Sequence, residues 1–187
     1  PTLAQQLRDL AARAERFGRE QALAVAGQLA AALDAAHAAG IIHRDVKPSN
    51  AIWSERGALV LTDFGIAKNT QLATDYTQTG MVIGTPDYLS PEQASNRPLT
   101  PSSDIYSLGV LLYELLAGAP PFRGDTALAV ALSHMQDAPP PLRASRPDLP
   151  LAAERVVDRA LAKDPAQRFS SAGAFAAALA RAWPAGG

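Results

Sequence analysis

The sequence has no cysteine among its 187 residues, which excludes disulfides, thiolate zinc sites and cysteine nucleophiles together. Its net charge is close to zero, because 17 Lys and Arg stand against 18 Asp and Glu, a formal charge of −1. A protein that binds nucleic acid mainly through charge needs a positive field, so that class is excluded. No apolar run approaches ~18 residues, and the sequence therefore predicts no membrane-spanning helix. Apolar residues make up 48% of the chain, which is enough for the core of one globular domain.

Apolar residues recur at helical spacing through most of the chain, which predicts a mainly α fold. Helices are expected near residues 3–17, 20–39, 103–117, 125–136, 151–162 and 171–182. The helix over 103–117 is apolar nearly all round, which predicts burial at the centre of the domain. Two β-forming runs, 51–53 and 58–61, flank Ser54–Gly57 and predict a small hairpin.

Three polar motifs follow one another between the second predicted helix and the central one. His43 to Asn50 (His-Arg-Asp-Val-Lys-Pro-Ser-Asn) forms a loop, Asp63-Phe-Gly65 follows the hairpin, and Thr85 to Glu92 (Thr-Pro-Asp-Tyr-Leu-Ser-Pro-Glu) ends an aperiodic stretch. They resemble, in order and spacing, the catalytic loop, the magnesium-binding Asp-Phe-Gly and the Ala-Pro-Glu-type motif of the eukaryotic-like (Hanks-type) protein kinases. The surrounding residues are similar to the bacterial serine/threonine branch.

The resemblance implies a fold and its extent. It covers residues 1–183 and only the C-terminal lobe of the family, with 184–187 as the start of a linker. The implied fold is mainly α, with helices around a buried central helix and a small β-hairpin at the active site.

The resemblance also implies catalytic and metal-binding roles. Asp45 matches the catalytic base, Lys47 the cation beside the transferring γ-phosphate, and Thr85 the hydroxyl that bridges the two. Asn50 and Asp63 match the two protein ligands of Mg²⁺ (or Mn²⁺), a hard ion that prefers oxygen. Lys47 and Thr85 together imply specificity for Ser and Thr rather than Tyr.

ATP is the implied nucleotide. Lys47, Asn50 and Asp63 would lie near its phosphates, and Ile52 would lie under the adenine ring. Leu111 and Leu115, one helical turn apart, would support Ile52 from the central helix.

Other motif residues match structural positions of the family. His43 and Phe64 match a packed pair between the catalytic and magnesium loops. Asp104 matches a buried aspartate that binds the backbone near His43, since a buried carboxylate needs such partners. Glu92 and Arg168 match a buried ion pair.

The two remaining histidines lack ligand partners in the sequence pattern. His37 is expected to pack at a helix end, and His134 is expected at the surface.

Arg44, beside the base, implies regulation by a phosphate on the activation segment, since a phosphate can pair with a guanidinium. Thr77 and Thr79 match the Thr-x-Thr autophosphorylation pair of bacterial relatives, and a kinase homodimer would phosphorylate them in trans. The alternative is that both are solvated loop threonines.

No glycine-rich phosphate loop and no Val-Ala-Ile-Lys strand occur in these 187 residues, so the N-lobe and the hinge are expected to be missing. Two readings remain: a piece of an active kinase that acts on Ser/Thr proteins, or a non-catalytic binding or scaffold module. The lobe is expected in the cytoplasm, although bacterial relatives often carry a transmembrane anchor beyond it.

Overall fold

The computed structural model describes residues 1–65 and 86–185, so Thr77, Thr79 and Thr85 lie outside the described residues. The described part is mainly helical, which confirms the predicted fold class. Its helices are α1 (Leu3–Ala12), α2 (Arg19–Ala38), α3 (Pro91–Ala94), α4 (Pro101–Ala117), α5 (Ala127–Gln136), α6 (Leu142–Ser145), α7 (Leu151–Ala160) and α8 (Ala172–Ala182). Short 3₁₀ turns lie at Pro48–Asn50, Pro86–Tyr88 and Pro165–Gln167. No helix in these two ranges combines the length and the hydropathy needed to cross a membrane.

Helix α4 is the buried centre of the domain, as its apolar composition predicts. Every residue from 103 to 116 except Glu114 is buried, and α2, α7 and α8 pack against the helix. The helix begins two residues earlier than predicted because Pro101 suits the first turn, where its missing N–H costs nothing. It ends at Gly118, whose φ of 85° lies in the left-handed region that favours glycine.

Helix α1 is shorter than predicted. Thr2 and Gln5 form the N-terminal capping box, but the helix ends at Ala12 and Ala14 turns the chain with a φ of 56°. Phe17 lies beyond this turn and is still almost completely buried. The apolar spacing therefore identified a core residue correctly, although Phe17 reaches the core from a turn rather than from the helix.

The hairpin consists of β1 (Ala51–Trp53) and β2 (Leu59–Leu61), paired antiparallel with Ala51 opposite Leu61. Ala51, Leu59 and Leu61 point into the core, and the opposite face carries Ile52 and Val60. Because α2 ends just before the catalytic loop and β1 begins just after it, these two elements fix both ends of that loop.

Candidate active site

The backbone of the catalytic loop has an uncommon conformation at Arg44. Its φ is 68°, in the left-handed region that non-glycine residues rarely adopt. The carboxylate of Asp104, from α4, accepts hydrogen bonds from the backbone N–H of His43 (2.8 Å) and of Arg44 (2.9 Å). Asp104 is only 1% exposed, so these bonds satisfy a buried carboxylate while they fix the loop backbone.

A third contact to this carboxylate comes from His37. Its Nε2 lies 2.7 Å from Oδ2 of Asp104, at the C-terminal end of α2. The packing role expected for His37 is therefore incomplete, because the ring also binds a charged group. His37 and Asp104 are 67 positions apart, and no local sequence pattern links them.

Asp45, Lys47 and Asn50 come together at the mouth of the loop. The Nζ of Lys47 lies 2.9 Å from Oδ2 of Asp45. The amide Nδ2 of Asn50 donates to the same Oδ2 (3.0 Å) and to the backbone carbonyl of Asp45 (2.9 Å). The side chains of Lys47 and Asp45 are 21% and 19% exposed, so the carboxylate is oriented yet still reachable from solvent.

Thr62, the residue before Asp63, connects the end of β2 to Asn50. The backbone N–H of Thr62 donates to the carbonyl of Asn50 (2.9 Å), and the Thr62 hydroxyl donates to the same oxygen (3.2 Å). Asp63 follows at once with a φ of 56° and an exposed side chain. The end of β2 therefore presents an exposed carboxylate one residue beyond the contact between Thr62 and the Asn50 backbone.

These residues fit a Mg²⁺ or Mn²⁺ ion by their donor set. The Asn50 amide nitrogen donates both of its hydrogen bonds to Asp45, and neither bond uses the amide oxygen. One amide oxygen and one exposed carboxylate are ligands that these ions prefer. Among residues 1–65 and 86–185 there is no group of three or more His, Asp or Glu side chains that could hold a metal ion.

The glycine of Asp-Phe-Gly lies where the chain closely approaches the backbone of His43 and Arg44. A Cβ on Gly65 would lie 3.2 Å from the carbonyl oxygen of His43 and 3.3 Å from Cβ of Arg44. The Gly65 N–H donates to that same carbonyl (2.8 Å). The rings of His43 and Phe64 are 4.5 Å apart at 42°, so the loop that begins at His43 and the Asp-Phe-Gly segment are packed together.

His43 is held as a neutral ring. Burial lowers its pKa, although Asp104 and the Thr62 carbonyl act in the opposite direction. Its Nε2 lies 3.1 Å from the Thr62 carbonyl oxygen, and the Asp45 N–H donates to its Nδ1 (3.3 Å). This pattern assigns the proton to Nε2 and makes His43 a packing and hydrogen-bonding residue.

Ile52 lies on the outer face of the hairpin and is 37% exposed. It forms an isolated bridge with Thr2, and Leu111 and Leu115 are fully buried in α4. The face of the hairpin that carries Ile52 also carries the exposed Val60.

The third motif is anchored to the C-terminal half of the domain. Glu92 binds Arg168 through two parallel hydrogen bonds of 2.8 Å, and Ser103 donates to Glu92 (3.1 Å). Burial alone would raise the pKa of Glu92, but Arg168 outweighs that effect and the pKa is lowered. The Tyr88 hydroxyl donates to Glu114 of α4 (2.5 Å). The pair and this second anchor fix the end of the motif against the core.

The prediction of a surface position for His134 is wrong. Its ring is fully buried, lies 3.0 Å from the Tyr106 hydroxyl through Nδ1, and reaches the Asp87 carbonyl through Nε2 (2.9 Å). Burial, with the charge of Lys163, lowers the pKa of His134 to about 4. The apolar positions around it in α5 gave no sign of these distant partners.

Comparison with known proteins defines the class of this chain. The family described as "Protein kinase domain" matches residues 2–183, and the chain belongs to that family. Within it, the chain is similar to bacterial serine/threonine kinases, as the motifs predict.

Two curated relatives and one solved structure illustrate this similarity. The serine/threonine-protein kinase PknA of Mycobacterium tuberculosis is 48% identical over 168 residues, which cover 90% of this chain and 38% of PknA. The probable serine/threonine-protein kinase PknB of Lactococcus lactis is 44% identical over 154 residues, 82% of this chain and 24% of that protein. The crystal structure of the M. tuberculosis PknI kinase domain matches with a TM-score of 0.73 and 32% identity, covering 95% of this chain and 60% of that one. The chain thus spans well under half of the length of the two curated relatives and 60% of the solved structure.

Proposed function

We propose that the protein containing this chain is a serine/threonine protein kinase, which transfers the γ-phosphate of MgATP to Ser or Thr hydroxyls of proteins. The observation that carries the proposal is the set of contacts around Asp45, whose carboxylate is bound by Lys47 and Asn50. Membership of the protein kinase family and the names of the bacterial relatives support the same activity.

Asp45 would act as the base that orients and deprotonates the substrate hydroxyl. Lys47 and Asn50 fix its carboxylate at 2.9 and 3.0 Å, and a fixed carboxylate holds the attacking oxygen in line. As the substrate oxygen bonds to the γ-phosphorus, the bond to ADP breaks and the hydroxyl proton passes to Asp45. The partial exposure of Asp45 leaves a path for the hydroxyl to reach it.

Lys47 would offset negative charge on the transferring phosphoryl group, because its ammonium lies beside the base. Thr85, which lies outside the described residues, would bridge Lys47 and Asp45 in a Ser/Thr-specific enzyme. Asn50 and Asp63 would hold the Mg²⁺ or Mn²⁺ ion, which supplies charge neutralisation at the nucleotide phosphates. Ile52 would support the adenine ring of ATP.

The proposal concerns a protein in which this chain, as the C-terminal lobe over residues 1–183, is joined to an N-lobe. The glycine-rich loop and the strand lysine of kinases do not occur in these 187 residues, and both contribute to nucleotide phosphate binding in the family. Because ATP is the phosphate donor, the reaction would take place in the cytoplasm.

Activation-segment phosphorylation would regulate the enzyme. A phosphate on Thr77 or Thr79 carries about −1.5 to −2 charges and would pair with Arg44. Transfer between two kinase molecules would place these threonines in the other molecule's site, so the rate of self-phosphorylation should rise faster than linearly with concentration. Phosphopeptide mapping tests this: sites found only elsewhere, with the Thr77→Ala and Thr79→Ala double variant fully active, would contradict it.

The test of the activity is transfer of γ-labelled phosphate from MgATP by the complete protein to Ser-, Thr- and Tyr-containing peptide libraries. Label on Ser and Thr alone is the expected result. A folded complete protein that binds MgATP and labels no peptide or protein would instead favour the non-catalytic scaffold.

A further inference from the structure

Gln93, in α3, joins the third motif to the catalytic loop through the two ends of one side-chain amide. Its Oε1 accepts a hydrogen bond from the Ser90 N–H (2.9 Å), and the Gln93 N–H donates to the Ser90 hydroxyl (3.2 Å). Its Nε2 donates to the backbone carbonyl of Arg44 (2.7 Å). The first two bonds form the capping box of α3, and the third leaves the helix altogether.

The carbonyl that Gln93 binds belongs to the peptide group between Arg44 and Asp45. The N–H of that peptide group donates to Nδ1 of His43 (3.3 Å). The preceding peptide group is held in the same way, by Gly65 at its carbonyl (2.8 Å) and by Asp104 at its N–H (2.9 Å). Two successive peptide planes, on either side of a left-handed Arg44, are thus each held at both ends.

Gln93 differs from the other three partners in its place in the fold. Asp104 lies in the buried central helix, and His43 and Gly65 belong to the catalytic and magnesium loops. Gln93 is half-buried, lies in a helix of four residues, and comes directly after Glu92. Because Gln93 binds the carbonyl of the peptide group that carries Asp45, a shift of α3 would change the orientation of that peptide group.

We infer that Gln93 is a positioning residue for Asp45, and that its Nε2, rather than its capping role, sets the orientation of the catalytic carboxylate. The inference deepens the proposed kinase function and rests on it for the role of Asp45. A peptide plane released at its carbonyl can rotate at Arg44, and a small displacement of the base lowers the rate of transfer strongly.

Two substitutions separate the two roles of this side chain. Gln93→Glu keeps an oxygen that can accept from Ser90, since Glu is as common as Gln in capping boxes, but it removes the donor to Arg44. Gln93→Met removes both. Gln21→Glu is the matched control, because Gln21 Oε1 accepts the Gly18 N–H (3.2 Å) at the N-terminal end of α2, whereas the catalytic loop follows the C-terminal end of that helix.

Steady-state kinetics of the complete protein on MgATP and a Ser/Thr peptide should distinguish the roles. We expect both Gln93 variants to lower kcat about 10- to 100-fold with the KM for MgATP within about twofold of wild type. Gln93→Met should lower the urea midpoint further than Gln93→Glu, because it also loses the acceptor for the Ser90 N–H. Gln21→Glu should match wild type. A Gln93→Glu variant with wild-type kcat, beside a Gln93→Met variant that is only less stable, would reduce Gln93 to a helix cap and overturn the inference.

Amide hydrogen exchange gives a readout that does not need activity. In the complete protein, the Arg44 and Asp45 amides should exchange about tenfold faster in Gln93→Glu than in wild type or Gln21→Glu, because a released loop opens more often. If wild type transfers no phosphate but exchange changes as expected, the proposed function fails and the anchoring of the loop stands. If wild type is active and neither kcat nor exchange responds to Gln93→Glu, the inference fails and the proposed function stands.

Discussion

Two groups of charged residues are attached to the N-terminal half of α4, and they differ mainly in their access to water. Around Asp104, the catalytic loop presents Asp45 and Lys47 with about a fifth of each side chain exposed. Around Tyr106, the Glu92–Arg168 pair is 4% and 0% exposed. The same kinds of side chain can therefore meet a substrate in the first group and can only bind one another in the second.

The two groups also differ in the property of the protein that they affect. A buried pair must satisfy nearly all its hydrogen-bond capacity within the protein, and Arg168 does so with Glu92 and the carbonyls of Ser102, Ala162 and Lys163. The catalytic loop instead holds an uncommon backbone conformation through partners on several elements. Changes in the buried group should appear in stability, and changes in the loop should appear in rate.

The largest expected effect comes from Arg168→Ala, which leaves the Glu92 carboxylate buried without its guanidinium. The free energy of unfolding should fall by about 3–5 kcal/mol, measured by urea unfolding. Replacing both partners, as in Glu92→Leu with Arg168→Met, should cost clearly less than the single change. If Arg168→Ala lowered the free energy of unfolding by less than about 1 kcal/mol, the buried pair would contribute no more than a solvent-exposed ion pair does.

Asp45→Asn tests the loop side of the comparison. The amide keeps the size of the side chain but cannot accept the hydroxyl proton, so kcat should fall by a factor on the order of 10² or more with MgATP binding retained. The urea midpoint should stay within error, since Asp45 is partly exposed. Asp9→Asn, on the exposed face of α1, is the control and should leave both quantities unchanged. Turnover close to wild type in Asp45→Asn would show that Asp45 is not the base.

The pH dependence of stability distinguishes the buried group further. His134 has a pKa of about 4 in the folded protein, lowered by burial and by Lys163, and about 6.5 when unfolded. The unfolded state therefore binds more protons as the pH falls below 6.5, and stability is lost down to about pH 4. Lys163, whose pKa burial lowers to about 8, stays charged throughout this window and adds no slope.

Several carboxyl groups with raised pKa values, including Asp87 and Glu114, act in the opposite direction, so the difference between two proteins is the informative quantity. Between pH 6.5 and 5, wild type should lose about 1.5 kcal/mol more than His134→Gln. Urea unfolding at a series of pH values measures this difference. Parallel profiles for the two proteins would mean that His134 does not titrate as a buried neutral ring.

The smallest expected effect is at His37, which belongs to the loop side. His37→Leu removes one hydrogen bond to the Asp104 carboxylate, which keeps the N–H donors of His43 and Arg44, and should lower the free energy of unfolding by about 1 kcal/mol. His37→Gln keeps a donor on a side chain of similar reach and should recover part of that loss. Amide exchange at His43 and Arg44 should speed up in His37→Leu. An unchanged exchange rate would show that the other partners of Asp104 suffice.

How far the sequence predicted this site depends on how local each contact is. Asp45, Lys47 and Asn50 lie within six positions of one another, so a single motif identified them and the structure brings them together. His37, Gln93 and His134 were missed or misplaced because their partners lie 67, 49 and 28 positions away. A side chain that bridges distant segments leaves no periodic or local signal.

For the fold, too, the features with a clear local pattern were predicted and the others were missed. The apolar run of α4 predicted its burial, and the spacing of apolar residues predicted α2 and the hairpin nearly residue by residue. The end of α1 was misplaced because no glycine or proline marks the turn at Ala14. The four-residue helices α3 and α6 were missed because one turn is too short to show a period.

The sequence by itself determined which residues form the core, where the central helix lies, and which side chains are the candidates for the chemistry, because these depend on composition, periodicity and short motifs. Only the tertiary structure decided how Asp45 is held, since Gln93 fixes the peptide group that carries it and Gly65 and Asp104, from other elements, fix the preceding one. It also decided that His134 is buried and neutral rather than exposed. The physical reason is common to both cases: solvent access and long-range hydrogen bonds arise only when segments distant in the chain pack together, and neither is encoded in the spacing of neighbouring residues.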